Sequence, residues 1–302
     1  SDVYKRQLEF SSLLASVVTT LLLAALTHSV WAPVIGSLVG TCTRTAMSHW
    51  ALPGPTSRPC WDRACARELL GFGSAVLLSS VVGILAAQGE KFLLGAFLPT
   101  AAFGLYAIAA TLLSAATGLF AQINGHVVYA SLAAASGSSQ AASLASVYAR
   151  AQLAADGFLG ISAGILAMTA PWLIGLLYDA RYTAAGWVLQ VLSLSLVAMR
   201  HQVVEQLMFV RGQTGRVTLN NLLRVLALLV LVPSGYRLAQ EQGALVGVVA
   251  AQFACWPAAL WFKRQAGLLT WFSEISWIAA LAVGLAVGWI VDTMLLTLRG
   301  SV

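Results

Sequence analysis

Charge is what this 302-residue sequence has least of: Asp, Glu, Lys and Arg together make up 9% of it, against roughly 25% in soluble domains. With 59% hydrophobic residues and a mean hydropathy of +0.82, that scarcity excludes a soluble globular domain and leaves a membrane protein. Strand alternation of the barrel type is also missing. The spans must therefore be helices, since lipid offers backbone groups no partner outside their own segment. A formal net charge of +6 would otherwise suit nucleic acid. The Lys and Arg residues lie mostly in short loops between apolar runs, however, where they act as topology signals, and no nucleic-acid partner is expected.

Cysteine is scarce too. Cys42, Cys60, Cys65 and Cys255 supply one C-x4-C pair with no second pair or His cluster, short of the four ligands a structural zinc takes. Neither metal nor other cofactor is expected. The phosphate-cradling G-x-x-x-x-G-K-[ST], the H-E-x-x-H and G-x-S-x-G patterns, and paired aspartates of the metal–sugar-nucleotide kind are all lacking. Their absence argues against an ATP-driven pump or a metal-dependent glycosyltransferase, and the chain is read as a non-enzyme. The opening SDVYKRQ (1–7) has no small-residue cleavage site after it and is not a signal peptide. It is set aside as an assembly artefact, and the natural chain is expected to start earlier.

What is present is a series of apolar runs, each near the roughly 20 residues that cross a bilayer as a helix. About nine spans are expected: 8–28, 30–47, 69–90, 98–124, 153–178, 184–210, 217–236, 243–262 and 273–297. The fold class is an all-α polytopic membrane bundle. Only Thr27-His28-Ser29 separates the first two runs, which are read as a tight hairpin. Loop 48–68 holds three of the eight prolines and reads as a linker between bundle 8–47 and bundle 69–302. The Ala/Ser-rich segment 131–152 is expected to form a surface helix. On this topology Arg44, Arg58, Arg63, Arg67, Arg150, Arg211, Arg216, Lys263 and Arg264 share one side, against Lys91, Arg181, Arg237 and Arg299 on the other, and the basic excess marks the first as cytoplasmic. Four G-x-x-x-G patterns, at Gly36/Gly40, Gly160/Gly164, Gly243/Gly247 and Gly284/Gly288, predict close helix packing.

Ionisable residues inside the apolar runs are costly and mark candidate sites. Arg200, His201 and Glu205 lie in span 184–210, and Asn220, Asn221 and Arg224 in span 217–236. His201 and Glu205 are four apart and meet on one helix face, as do Asn220 and Arg224. Two arginines at one depth would suit an anionic head group, because the guanidinium fork matches phosphate oxygens. The opposing reading has Glu205 neutralising Arg200 or Arg224 as a buried pair. Glu90 and Lys91, in QGEKFLLG (88–95), are placed at the external end of their span, as a gate or ion-coupling pair or as a topological marker. Asp156 is placed near the start of its span, either favouring the helix N-terminus or joining Glu90 and Lys91 as an ion-coupling or gate residue.

In order along the chain, HSVWAPVIGSLVG (28–40), RELLGFGSAVLLSS (67–80), GEKFLLGAFLPTAAFGLYAIAATLL (89–113), LLYDARYTAAGWVLQVLSL (176–194), FVRGQTGRVTLNN (209–221) and GALVGVVAAQ (243–252) resemble the polysaccharide and oligosaccharide flippases of the multidrug, oligosaccharidyl-lipid and polysaccharide exporter superfamily. The resemblance implies a partial two-bundle transporter fold with the first four helices missing. It further implies a cationic cavity, alternating access, a bacterial inner-membrane location and an undecaprenyl-pyrophosphate-linked oligosaccharide as substrate. Membrane lipids and polysaccharide-assembly proteins are the implied neighbours. Glu90 stands where the family's D-x-x-L-x-G pattern has Asp. The alternatives are a multidrug exporter or lipid II flippase of the same superfamily, a polysaccharide polymerase or ligase, and a non-transporting scaffold.

Overall fold

The computed structural model describes residues 2–29, 31–51, 62–137 and 141–300. These residues are helical almost throughout, with no strand among them: α1 (Asp2–Thr27), α2 (Ala32–Ala51), α3 (Arg63–Phe97), α4 (Thr100–Ile123), α5 (Tyr129–Ser136), α6 (Ala141–Leu177), α7 (Ala185–Ala198), α8 (Gln202–Val210), α9 (Thr214–Phe253), α10 (Trp256–Gln265) and α11 (Trp271–Gly300). Seven stretches are long and apolar enough to cross a membrane. One of them, Thr214–Gln265, contains a reversal at Ala239 and Gln240, and α2 adds a helix of 20 residues. The chain is thus a multi-pass helical membrane protein.

The helices divide into two compact units, Ser1–Leu69 and Leu70–Val302. In the first, α1 and α2 form an antiparallel hairpin that turns at His28, whose φ of 48° is the left-handed conformation a tight reversal needs. Gly36 lies against Thr20 and Ser16, and Gly40 against Ser16 and Ser12, so the first glycine pair lets two backbones touch. Of the expected linker, residues 52–61 lie outside the described residues.

In the second unit the remaining three glycine pairs do the same work. The two arms of α9 run antiparallel, with Gly235 facing Gly243 and Gly247 facing Leu231. α6 and α11 run parallel in a four-residue ladder: Gly160 meets Ala280, Gly164 meets Gly284, and Met168 meets Gly288. A Cβ on Gly164 would sit 2.5 Å from the Gly284 carbonyl carbon, too close for any side chain. Gly164→Ala should therefore cost about 1–3 kcal/mol by forcing the helices apart, read as a lower unfolding midpoint in detergent. An unchanged midpoint would remove the glycine ladder as the reason these helices pair.

Pro171 sits inside α6 and has no N–H to give to Ala167, four residues back. Gln190 of α7 donates its Nε2 to that carbonyl at 2.8 Å, so the apolar interior carries no orphan acceptor there.

Several expected boundaries are corrected. α3 continues to Phe97 and turns only at Leu98-Pro99, so Glu90 and Lys91 lie inside the helix rather than at its external end. The span expected to stop at 124 runs on through a π-helical stretch, Asn124–Val128, into α5. Segment 131–152 is not a separate surface helix: its Ala-rich ends simply extend α5 and α6, good helix formers prolonging the spans they flank. Span 184–210 is interrupted by a 3₁₀ turn at Met199–His201.

Candidate functional site

The polar residues buried in the second unit sort into two constellations. The first is centred on Arg200, 4% exposed in the 3₁₀ turn between α7 and α8. Its Nε and Nη2 donate to Asp156 at 2.8 and 3.0 Å, its Nη1 donates to Glu274 at 2.8 Å, and Nη2 also reaches the Ser273 carbonyl at 2.6 Å. Lys263 donates to the other Glu274 oxygen at 2.8 Å. Asp156 further accepts from Gln152 and Ser276, at 2.9 and 2.5 Å, and Gln152 accepts from Tyr148 at 3.1 Å. Trp256 lies beneath the guanidinium, 5.5 Å from its carbon to the ring centroid.

Two cations and two carboxylates balance here, and every charge is met. The network ties α6, the α7–α8 turn, α10 and the first turn of α11 together. Four-residue spacing explains why α6 can supply so much of it. Tyr148, Gln152 and Asp156 stand on the same ridge as Gly160 and Gly164, and Asp156–Ser276 is the next rung of the glycine ladder. Asp156 lies fifteen residues into α6, so it does not serve the helix N-terminus as expected. Glu205 does not neutralise Arg200 either, because Asp156 and Glu274 do.

The second constellation is a cavity of about 630 Å³ between α3, α4, the α7–α8 segment and α9. One face of α4 walls it with Ala107, Ala110, Thr111, Ser114, Thr117, Gly118 and Ala121 in steps of three and four, a stripe of small and hydroxyl side chains. From Phe103 to Ala121, both in the lining, the wall takes 18 steps along the helix, a rise of ~27 Å at ~1.5 Å per step. That nearly equals the roughly 30 Å hydrocarbon core.

Glu90, Lys91 and Arg224 are the charged residues in its lining, a sum of +1. Glu90 accepts from Tyr106 at 2.9 Å and from Gln252 at 3.0 Å, one bond to each oxygen. Those bonds join α3 to the bundle together with Ser79···Thr218 at 2.7 Å, the Phe97–Tyr236 ring contact and the buried Leu94. Arg224 is half-buried, makes no hydrogen bond or ion pair with the described residues, and has a fully buried Nε without a partner.

The other sequence candidates fall beside the cavity. His201 is fixed by its Nδ1 to the Ala198 carbonyl at 2.6 Å, and its Nε2 stands 3.7 Å from Glu205. Asn220 donates to the same Glu205 oxygen, Oε1. Asn124, in the π-helical stretch, donates to the Gln202 carbonyl at 3.3 Å. Asn221 joins neither constellation. Sequence reasoning thus paired Arg200 with Arg224, whereas the structure separates them, the first locked in a neutral network and the second open to the cavity. It missed Glu274, which lies inside the expected span 273–297 and was not singled out, Lys263, which was read as a loop charge, and Tyr148 and Gln152, whose i, i+4, i+8 polar stripe was the available signal.

The profile of a family described as polysaccharide biosynthesis protein matches residues 4–187. The chain belongs to that family. The match spans α1 to the start of α7 and takes in Glu90, Lys91, Asp156 and most of the α3–α4 wall of the cavity, while Arg200 and Arg224 lie beyond it. Neither the curated proteins nor the solved structures give a match to the chain.

Proposed function

We propose that the protein is a flippase that moves polyprenyl-pyrophosphate-linked oligosaccharides from the cytoplasmic to the outer leaflet of a bacterial inner membrane by alternating access. The observation that carries this reading is the cavity. It runs along most of a bilayer's thickness, is walled by small hydroxyl-bearing residues suited to a sugar, and offers Arg224 as an unpaired cation. Family membership supplies the context of polysaccharide biosynthesis. A diphosphate head group would take the Arg224 guanidinium as its counter-charge, with the polyprenyl chain left in lipid. Glu90, held by Tyr106 and Gln252 beside Lys91, is the group proposed to bind the coupling cation or proton. No bond-breaking chemistry is assigned to the chain, and its working partners are the lipid-linked substrate and the proteins that build and polymerise it.

The decisive experiment uses Gly118, where an added Cβ meets nothing within 4 Å and which lines the cavity. Gly118→Trp should fold normally and plug the lumen, cutting export of surface polysaccharide at least about tenfold, equivalent to 1.4 kcal/mol, at unchanged membrane abundance. Normal export through the plugged variant would reject the cavity as the path. Accumulation of the lipid-linked precursor on the inner side would separate a flippase from a polymerase, which would instead leave short exported units.

A further inference from the structure

A second cavity, of about 390 Å³, opens at the basic end of the bundle, between α10 and the first turn of α11. It shares no lining residue with the first, and its volume is in the roughly 300–1,000 Å³ range of small-molecule sites. Its floor is rigid. Trp256 is pinned by its indole N–H to the Ala198 carbonyl at 3.2 Å and packs edge-on against Trp277. Leu260 and Leu269 make apolar walls. At the rim stand Trp261, 53% exposed, and Trp271, 80% exposed.

The charge at this rim is unanswered. Glu274 is the acidic residue in the lining, and both its oxygens are already taken, by Arg200 and Lys263. Arg264 is exposed, and its side chain makes no hydrogen bond or ion pair with the described residues. Arg216 stacks on the neighbouring rings, its guanidinium carbon 6.0 Å from the Trp261 centroid and 5.5 Å from that of Phe262, which places a second cation beside the same indole.

Exposed indoles at the end of a membrane bundle lie at head-group depth, and paired cations between helices at that depth attract anionic lipid head groups. We infer that this groove is a binding site for an anionic phospholipid. The phosphate would lie between Arg264 and Arg216, and an acyl chain would pass between Leu260, Leu269 and the Trp271 ring. Binding there would brace the α10–α11 turn directly above the Arg200–Glu274–Lys263 network, so the bound lipid should stabilise the fold as any native-state ligand does. The inference does not rest on the transport reading.

The test is native mass spectrometry of the full chain in detergent, titrated with phosphatidylglycerol, with phosphatidylcholine and with inorganic phosphate. Wild type should retain phosphatidylglycerol about five- to thirtyfold better than phosphatidylcholine, the scale of one or two surface cations, and should melt at a higher temperature in its presence. Arg264→Gln should abolish that preference, Arg264→Lys should keep part of it, and Trp271→Ala should weaken retention of both lipids. Arg181→Gln, in an exposed pair with Asp179 at the opposite end, should behave as wild type. Equal retention of the two lipids, an Arg264→Gln protein that still prefers phosphatidylglycerol, or displacement of the lipid by inorganic phosphate at matched concentration would each overturn the assignment.

Discussion

Asp156→Ala is expected to remove most of the folded protein from the membrane. The carboxylate meets four donors: Arg200 through two nitrogens, Gln152 and Ser276. Without it the network changes from two cations and two carboxylates to a net charge of +1, carried on Arg200 and Lys263 side chains only 5% and 3% exposed. Removing one partner of a buried pair costs about 3–5 kcal/mol, a large share of the roughly 5–15 kcal/mol that holds a domain together. Arg200→Ala should cost a similar amount with the opposite leftover charge. The double variant Asp156→Leu/Arg200→Met should then be more stable than either single one, since it restores neutrality and leaves Glu274 with Lys263. Thermal unfolding in detergent, together with the amount of protein in the membrane, checks the series. Singles that melt like wild type while export fails would move this network from scaffold to transport machinery.

That outcome would restore the substrate-site role that the sequence suggested for Arg200; the structure departs from it for a reason that lies in sequence separation. The partners of Arg200 come from 44 and 74 residues away. Spacing rules on a single helix see i, i+4 neighbours such as His201 and Glu205, and that pair is indeed in place. They do not see which face of α6 or α11 is turned toward α8. The number and order of spans were legible because each needs a run of apolar residues matched to the bilayer, and the glycine pairs marked the close crossings in advance. Helix ends were less legible. Glu90 and Lys91 looked like a terminus because charge is costly in lipid, but a water-accessible cavity beside them removes that cost and lets α3 run on to Phe97. The wall of α4 was readable in principle, since Ala, Thr, Ser and Gly recur there in steps of three and four. A small-residue stripe looks the same in sequence whether it faces a helix, as on α6, or a cavity.

Arg224→Gln should show the opposite signature to Arg200→Ala: export falls while stability holds or rises. The Arg224 guanidinium is half-buried and makes no ion pair with the described residues, its Nε buried without a partner, an arrangement that is costly in a membrane interior and persists where a cation has work to do. Replacing it with a neutral amide relieves that cost, so the unfolding midpoint should not drop. If the cation holds a diphosphate, the variant forfeits charge-assisted hydrogen bonds of about 1.5–3 kcal/mol, and transport should fall roughly ten- to hundredfold at one decade per 1.4 kcal/mol. Arg224→Lys should fall between, because an ammonium keeps the charge and loses the two-pronged match to phosphate oxygens. Surface polysaccharide measured at equal protein abundance, alongside accumulation of the lipid-linked precursor, reads the effect. Wild-type export by Arg224→Gln, or a melting loss as large as that of Arg200→Ala, would leave the cavity without its anion contact and favour a transporter of uncharged or cationic cargo, for which Glu90 would then be the binding group.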